Sequence, residues 1–291
     1  MLDLGSHVSV AGGVDKGIDR ALALNMTAVQ IFTKNANQWA AKPLDPDVVD
    51  RFHEKLAACE IRHVAAHDSY LINIASPDDA MWEKSIDALK VELDRCDILN
   101  VPFLVSHPGA HMGSGVEAGI DRVAAAVNRV HTELPNGKAA IAIETTAGQG
   151  TTLGRTFEEI AQMIDAIEDK GRVAVCLDTC HIFVAGYDIL TQPAYDRTIQ
   201  QFDDIVGLHY LKVLHLNDSL KGLGSHRDRH KHIGEGELGV EPFRFLLNDP
   251  RLAGLPGILE TPKDDDYEDD HRNLTLLRSL AAPETVVAPA G

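Results

Sequence analysis

A chain of 291 residues with 44% hydrophobic residues can bury a large core and has the size of one α/β barrel. Its 27 Lys+Arg against 44 Asp+Glu leave a formal net charge of −17, which excludes a protein that coats nucleic acid through a general basic surface, so a polyanionic partner would need a local positive site. No apolar run approaches the roughly 18 residues of a membrane helix, nothing at the N-terminus resembles a signal peptide, and Cys59, Cys96, Cys176 and Cys180 form no CxxC pair. A soluble, cytoplasmic protein with reduced thiols is expected.

In chain order, short β-rich apolar segments recur near residues 2–8, 27–32, 61–66, 101–106, 139–143, 172–177, 209–216 and 257–260. Most intervals carry helical patterning. Residues 78–96 place Trp82, Ile86, Leu89 and Leu93 at helical spacing, and the helix over 156–169 opens with Thr156 and Glu159 in capping-box order. This rhythm predicts a single-domain α/β fold, a (β/α)8 TIM barrel over residues 1–281. A doubly wound open sheet is the competitor, but SVAGGVDKG at 9–17 is a poor match to its glycine-rich turn. The closing APETVVAPAG at 282–291 reads as a loose tail, and DDDYEDD at 264–270 as a solvated face leading into the last helix.

The strand ends carry the chemistry. His67, His107, Glu144, Asp178, His215 and Glu260 close six consecutive predicted strands, and in a barrel such ends share one face around the axis. Alternation groups His215 with Val213 and Leu211, Asp178 with Cys176 and Ala174, and Glu144 with Ala142 and Ala140, so polar tips sit on apolar stems. A lone histidine is more often a hydrogen-bonded core or loop residue. Six metal-competent ends in register point to a metal site at the C-terminal face.

The densest cluster of titratable groups is HRDRHKHIGEGE at 226–237. Its Asp228 and His230, two apart on an extended segment, face the same way and suit one ion, and DTCH adds His181 three residues after Asp178. Nine candidate ligands exceed the needs of one ion. Mixed N/O ligation without thiolate suits Zn2+ or Mn2+, and several ions with open positions can activate water and clamp a displaced phosphate. Three divalent ions against four ligand carboxylates would leave a charge of roughly +2 in a concave site, the local basic patch that the acidic chain lacks. Cys176 and Cys180 read as small buried or loop residues, and Arg227, Arg229 and Lys231 as pointing away from the ions toward solvent or a backbone phosphate. His7 is expected beside the ligands, and His226 and His232 in loop hydrogen bonds.

The strings HVSVAGG (7–13), FTKNANQW (32–39), AHDSYLIN (66–73), HPGAH (107–111), ETTAGQG (144–150), LDTCHIFVAGYD (177–188), HLNDS (215–219), DRHKHIGEG (228–236) and LETP (259–262) resemble the endonuclease IV family of apurinic/apyrimidinic endonucleases. The resemblance implies three zinc ions per chain, with manganese as an alternative at one or more sites. It also implies hydrolysis of duplex DNA 5′ to an abasic site, leaving a 3′-hydroxyl and a 5′-deoxyribose phosphate. By motif, His67, His107 and Glu144 would hold one ion. Glu144, also the catalytic candidate, would bridge to a second held by Asp178, His215 and Glu260, and His181, Asp228 and His230 would hold the third. Tyr70 and Leu71 would push into the duplex, with Asn35, Asn37, Gln38, Trp39 and Arg229 as further DNA contacts. The chain departs from the family at Asn37, where arginine is usual, and at Thr145, where asparagine is usual. A monomer without membrane association is expected. Sugar isomerases and epimerases on TIM barrels are the alternative, although one or two ions would leave DRH and His181 unexplained. A non-catalytic metal protein, with closed coordination, is the weaker reading.

Overall fold

The computed structural model describes residues 1–264 and 266–282. Eight parallel strands close into a barrel: β1 (Asp3–His7), β2 (Ala28–Phe32), β3 (His63–His67), β4 (Phe103–Ser106), β5 (Ala140–Glu144), β6 (Val173–Asp178), β7 (Leu211–His215) and β10 (Pro256–Leu259), the last pairing back onto β1. A two-residue hairpin, β8 (Asp218–Ser219) with β9 (His230–Lys231), stands on the face where the barrel strands end. Helices α1 (Val14–Ala23), α2 (Pro46–Ala57), α3 (Asp79–Leu99), α4 (Val116–Glu133), α5 (Phe157–Ala166), α6 (Thr179–Ala185), α7 (Gln192–Ile205), α8 (Glu241–Asn248) and α9 (Glu268–Leu280) fill the crossovers. No helix among the described residues is long and apolar enough to cross a membrane.

Two apolar layers hold the barrel. A large outer cluster joins strands to helices, while a small inner one consists of Ala28, Ala65, Val105, Ala142, Ala174, Cys176, Val213 and Ile258. Small residues dominate the inside because eight strands leave little room there. The alternation expected for β5 and β6 holds, but Leu211 does not join Val213 inside. Leu211 pairs with Val175 and Val213 with Cys176, so Lys212 is an extra residue. This bulge inverts the parity and turns Leu211 into the outer layer. Close packing also constrains β1, since a Cβ on Gly5 would fall 1.7 Å from the Ala28 carbonyl oxygen.

Local signals set the helix starts. Asp78 accepts from the Met81 N–H to cap α3, and Thr156 accepts from the Glu159 N–H to cap α5. Glu159 does not complete a capping box, because its Oε2 reaches past the cap to the Gly154 and Arg155 N–H groups. The acidic run at 264–270 is also not wholly a solvated face. Asp270 is buried, and its Oδ1 accepts 2.6 Å from Lys263 Nζ and 2.8 Å from Ser6 Oγ. A buried carboxylate needs such partners, and Lys263 lies within reach. Of the predicted tail, residues 283–291 lie outside the described residues.

Candidate metal centre

The six strand-end groups converge at one end of the barrel. His67, Glu144, Asp178 and His215 are the last residues of β3, β5, β6 and β7, while His107 and Glu260 directly follow β4 and β10. Glu144 is the hub and is fully buried. Its Oε2 lies 3.2 Å from His67 Nε2 and 3.0 Å from His107 Nε2. Its Oε1 lies 3.1 Å from His215 Nδ1 and 3.2 Å from His181 Nδ1. The two oxygens therefore face different groups of histidines, as a bridging carboxylate would. His215 Nδ1 is also 3.2 Å from Glu260 Oε2.

The third group forms at the rim. Asp228 Oδ2 lies 3.1 Å from His181 Nε2, Asp228 Oδ1 lies 3.3 Å from His230 Nε2, and the two imidazole Nε2 atoms are 3.4 Å apart. Asp178 joins it, within 3.8 Å of His230 Nε2. The local fold explains this placement. Asp178 caps α6 by accepting from the His181 N–H, which swings His181 back over the strand end. On the other side, β8 pairs with β9 and aims Asp228 and His230 inward. Buried Asp218 accepts from the Gly234, Gly236 and Leu238 N–H groups and so ties down the IGEGE turn. Arg227 and Arg229 are exposed, Arg229 folding onto the Asp228 carbonyl, and Lys231 pairs with Glu235. His226 and His232 are used in local contacts with Ala147 O and Asn273.

Backbone carbonyls orient three of the imidazoles. Nδ1 of His67 donates to Asp68 O, that of His181 to Thr145 O and that of His230 to Glu260 O, at 2.9, 2.8 and 3.1 Å. Carbonyls only accept, so each Nε2 is left free for a cation. Thr145 also accepts, through its hydroxyl, from the Asp178 N–H, so one residue contacts both Asp178 and His181.

The charges interlock. Burial opposes ionisation of Glu144, Glu260 and Asp228, yet facing histidines hold all three below the usual carboxylate range. Burial would likewise lower His67 and His230, but Glu144 and Glu260 push the first up to about 10, and Asp178 and Asp228 the second up to about 9. Without cations the cluster balances itself with protons, and bound cations would displace them. Burial raises the thiols of Cys176 and Cys180, the latter to about 12, so both stay protonated beneath the ligands. The donor set fits divalent ions of the zinc or manganese type: imidazole and carboxylate atoms within 4.8 Å of one another in the groups His67–His107–Glu144, Glu144–Asp178–His215–Glu260 and Asp178–His181–His230.

Above the cluster opens a cavity of about 750 Å3 lined by His7, Phe32, Asn35, Asn37, Tyr70 and Lys263 along with His67, His107, His181, Asp228, His230 and Glu260. Tyr70 stands out at 69% exposed, its ring edge-on to Phe32 at 5.5 Å. Leu71 is half-buried and faces an adjacent groove with Met81 and Met112. Gln38 is exposed outside the cavity, and Trp39 packs on the core beneath Lys84, 4.3 Å from its ring centre, so neither lines the site. A buried clamp ties these loops together. Glu92 on α3 accepts from the Ser69 N–H and pairs with Lys34 at 3.2 Å, while Lys34 donates to Gln38 O.

Sequence reasoning missed Gln30, Asn217 and the Lys34–Glu92 pair. Asn217 donates to Asp178 Oδ2 and accepts from the Glu260 N–H, holding two candidate ligands at once. The available signal was polarity out of place: a glutamine within the apolar strand AVQIF.

Residues 18–280 match the family described as xylose isomerase-like TIM barrel. Probable endonuclease 4 of Chloroflexus aurantiacus is 51% identical over 276 residues, 95% of this chain and 97% of that protein. Probable endonuclease 4 of Geobacter sulfurreducens is 47% identical over 282 residues, 97% and 95% of the two chains. The crystal structure of endonuclease IV from Thermus thermophilus superposes with a TM-score of 0.85 at 34% identity, covering 96% of this chain and 98% of that one. A D-tagatose 3-epimerase-like protein, at 16% identity and a TM-score of 0.70 over 96% and 98% of the chains, shares the fold alone.

Proposed function

Since the chain belongs to the endonuclease IV family and is a DNA-repair endonuclease acting at abasic sites, we propose that it is zinc-dependent and holds three ions. His67, His107 and Glu144 hold the first, Glu144, Asp178, His215 and Glu260 the second, and His181, Asp228 and His230 the third, with manganese as an alternative occupant. The observation that carries this reading is Glu144, whose two oxygens face separate histidine groups at 3.0–3.2 Å. When bound, divalent ions supply Lewis-acid stabilisation of phosphate charge and water ionisable near neutral pH.

The chain's own residues do the rest. Glu144 is the catalytic carboxylate, holding and orienting the attacking water. The cavity floor fixes the scissile phosphate against the residues that would hold the ions. Tyr70 and Leu71 enter the duplex beside the missing base, where stacking is already lost. Asn35, Asn37 and Gln38 contact the strand at the rim, Trp39 supports that loop from below, and exposed Arg229 meets a backbone phosphate. Hydrolysis leaves a 3′-hydroxyl and a 5′-deoxyribose phosphate. The site is complete within one chain and needs no second copy, and we read the enzyme as a monomer whose catalytic domain spans residues 1–281. Its four free thiols suit a reducing, cytoplasmic compartment.

The test is incision of an end-labelled duplex with one abasic site, with metal content measured on the same sample. Cleavage 5′ to the site with an extendable 3′ end and about three bound ions supports the reading. A full metal complement without incision would favour carbohydrate isomerisation on the same barrel.

A further inference from the structure

We propose that Gln30 is a positioning residue for the metal centre, setting which nitrogen of His215 meets the cation and holding Glu260 against it. The proposal rests on the ligand set given under the proposed function and adds a residue that set does not contain. Gln30 lies mid-strand on β2, fully buried, and β2 contributes no ligand. Its Oε1 lies 2.9 Å from His215 Nε2, and its Nε2 lies 2.6 Å from Glu260 Oε1 and 3.0 Å from His7 Nδ1.

Donor and acceptor logic leaves one arrangement. As a metal ligand the Glu260 carboxylate only accepts, so the amide NH2 of Gln30 must face it, at 2.6 Å. That turns Oε1 toward His215, and an amide oxygen only accepts, so His215 Nε2 carries a proton and donates it. Nδ1 is then the free nitrogen, and it points at Glu144 Oε1 and Glu260 Oε2 at 3.1 and 3.2 Å. His215 is thus reversed relative to His67, His181 and His230, which donate through Nδ1 to backbone carbonyls. Main-chain anchors survive substitution of a neighbouring residue. The anchor of His215 is a side chain and can be removed. Without it, the ring loses its partner for Nε2, and Glu260 loses the donor that fixes Oε1.

The experiment compares zinc-loaded wild type, Gln30→Leu and Gln30→Glu by chelator competition, alongside nitrogen-15 long-range correlation spectra of the imidazoles. In wild type, His215 should show a protonated Nε2 and a coordinated Nδ1. Gln30→Leu should release one ion of the set with about 10- to 100-fold weaker retention, the usual cost of deleting a partner behind a ligand. Gln30→Glu keeps the acceptor for His215 but replaces the donor to Glu260 with a like charge, so the Nε2–H signal should persist while retention falls. A purely structural role would instead lower the unfolding temperature of the metal-free protein and leave relative ion retention unchanged. That result, or coordination of wild-type His215 through Nε2, overturns the proposal even if Gln30→Leu fails to fold. Wild type that binds no zinc overturns the site reading and this proposal together, whereas equal retention by wild type and both variants overturns this proposal alone.

Discussion

Tyr70 offers a clean separation of binding from folding. Its ring leans edge-on against Phe32 and lies 6.2 Å from the His67 ring, yet it stays 69% exposed, an unusual degree for a large aromatic. A tyrosine can bury about 150–250 Å2, so roughly 140 Å2 is open to a partner, about 3 kcal/mol at 25 cal/mol per Å2. Stacking on a base contributes about 1–3 kcal/mol by alanine substitution. Tyr70→Ala should therefore weaken binding to an abasic duplex by about 2 kcal/mol, roughly 30-fold. Loss of the Phe32 contact should cost stability only about 0.5–1.5 kcal/mol. Fluorescence anisotropy at fixed salt, with a non-hydrolysable analogue of the abasic phosphodiester and an intact duplex as control, reads the first; thermal unfolding reads the second. Affinity for the abasic duplex equal to wild type, in a variant that unfolds normally, would refute the wedge.

Glu144→Gln removes the charge that two histidine groups face, so incision should fall by at least about 100-fold with loss of bound metal. Near-normal cleavage would take Glu144 out of the mechanism. Asn37→Arg places a longer cation on the cavity rim and should tighten abasic-duplex binding, with a steeper dependence on salt; unchanged affinity would show that other residues fill the gap. His131, buried on α4 with neither ring nitrogen hydrogen-bonded, is pushed down to about 4 by burial and by the Arg172 guanidinium. A histidine with a depressed folded-state pKa is neutral in the native protein, so stability is lost as pH falls from about 6.5 toward 4 while the unfolded chain takes up the proton. His131→Leu should remove that loss, improving on wild type by about 1–2 kcal/mol more at pH 5 than at pH 7 in denaturant titrations, the lower figure allowing for solvent screening; parallel pH profiles would refute it.

Much of the site was legible because strand ends are local features. Alternation identifies the inward face of β5 and β6, and the TIM-barrel rhythm sends every strand end to one rim, so His67, Glu144, Asp178 and His215 could be grouped without coordinates. The DxH spacing survives for the same reason: the segment is extended into β9, and Asp228 and His230 share a side. Prediction failed where partners are remote. Alternation assumes an unbroken ladder, and the bulge opposite Val175 and Cys176 sent Leu211 outward. Asp270 read as part of a solvated acidic run because nothing nearby in sequence says that Lys263 and Ser6 close over it.

The rhythm of strands, the metal-competent residues that end six of them and their common rim were determined by the sequence alone, since each follows from periodicity and from the residue that ends a strand. Only the tertiary structure decided which oxygen of Glu144 faces which histidines, and that Gln30 holds Glu260 from 230 residues away. The physical reason is that periodicity states which way a side chain points, while closure of the barrel determines what it meets there.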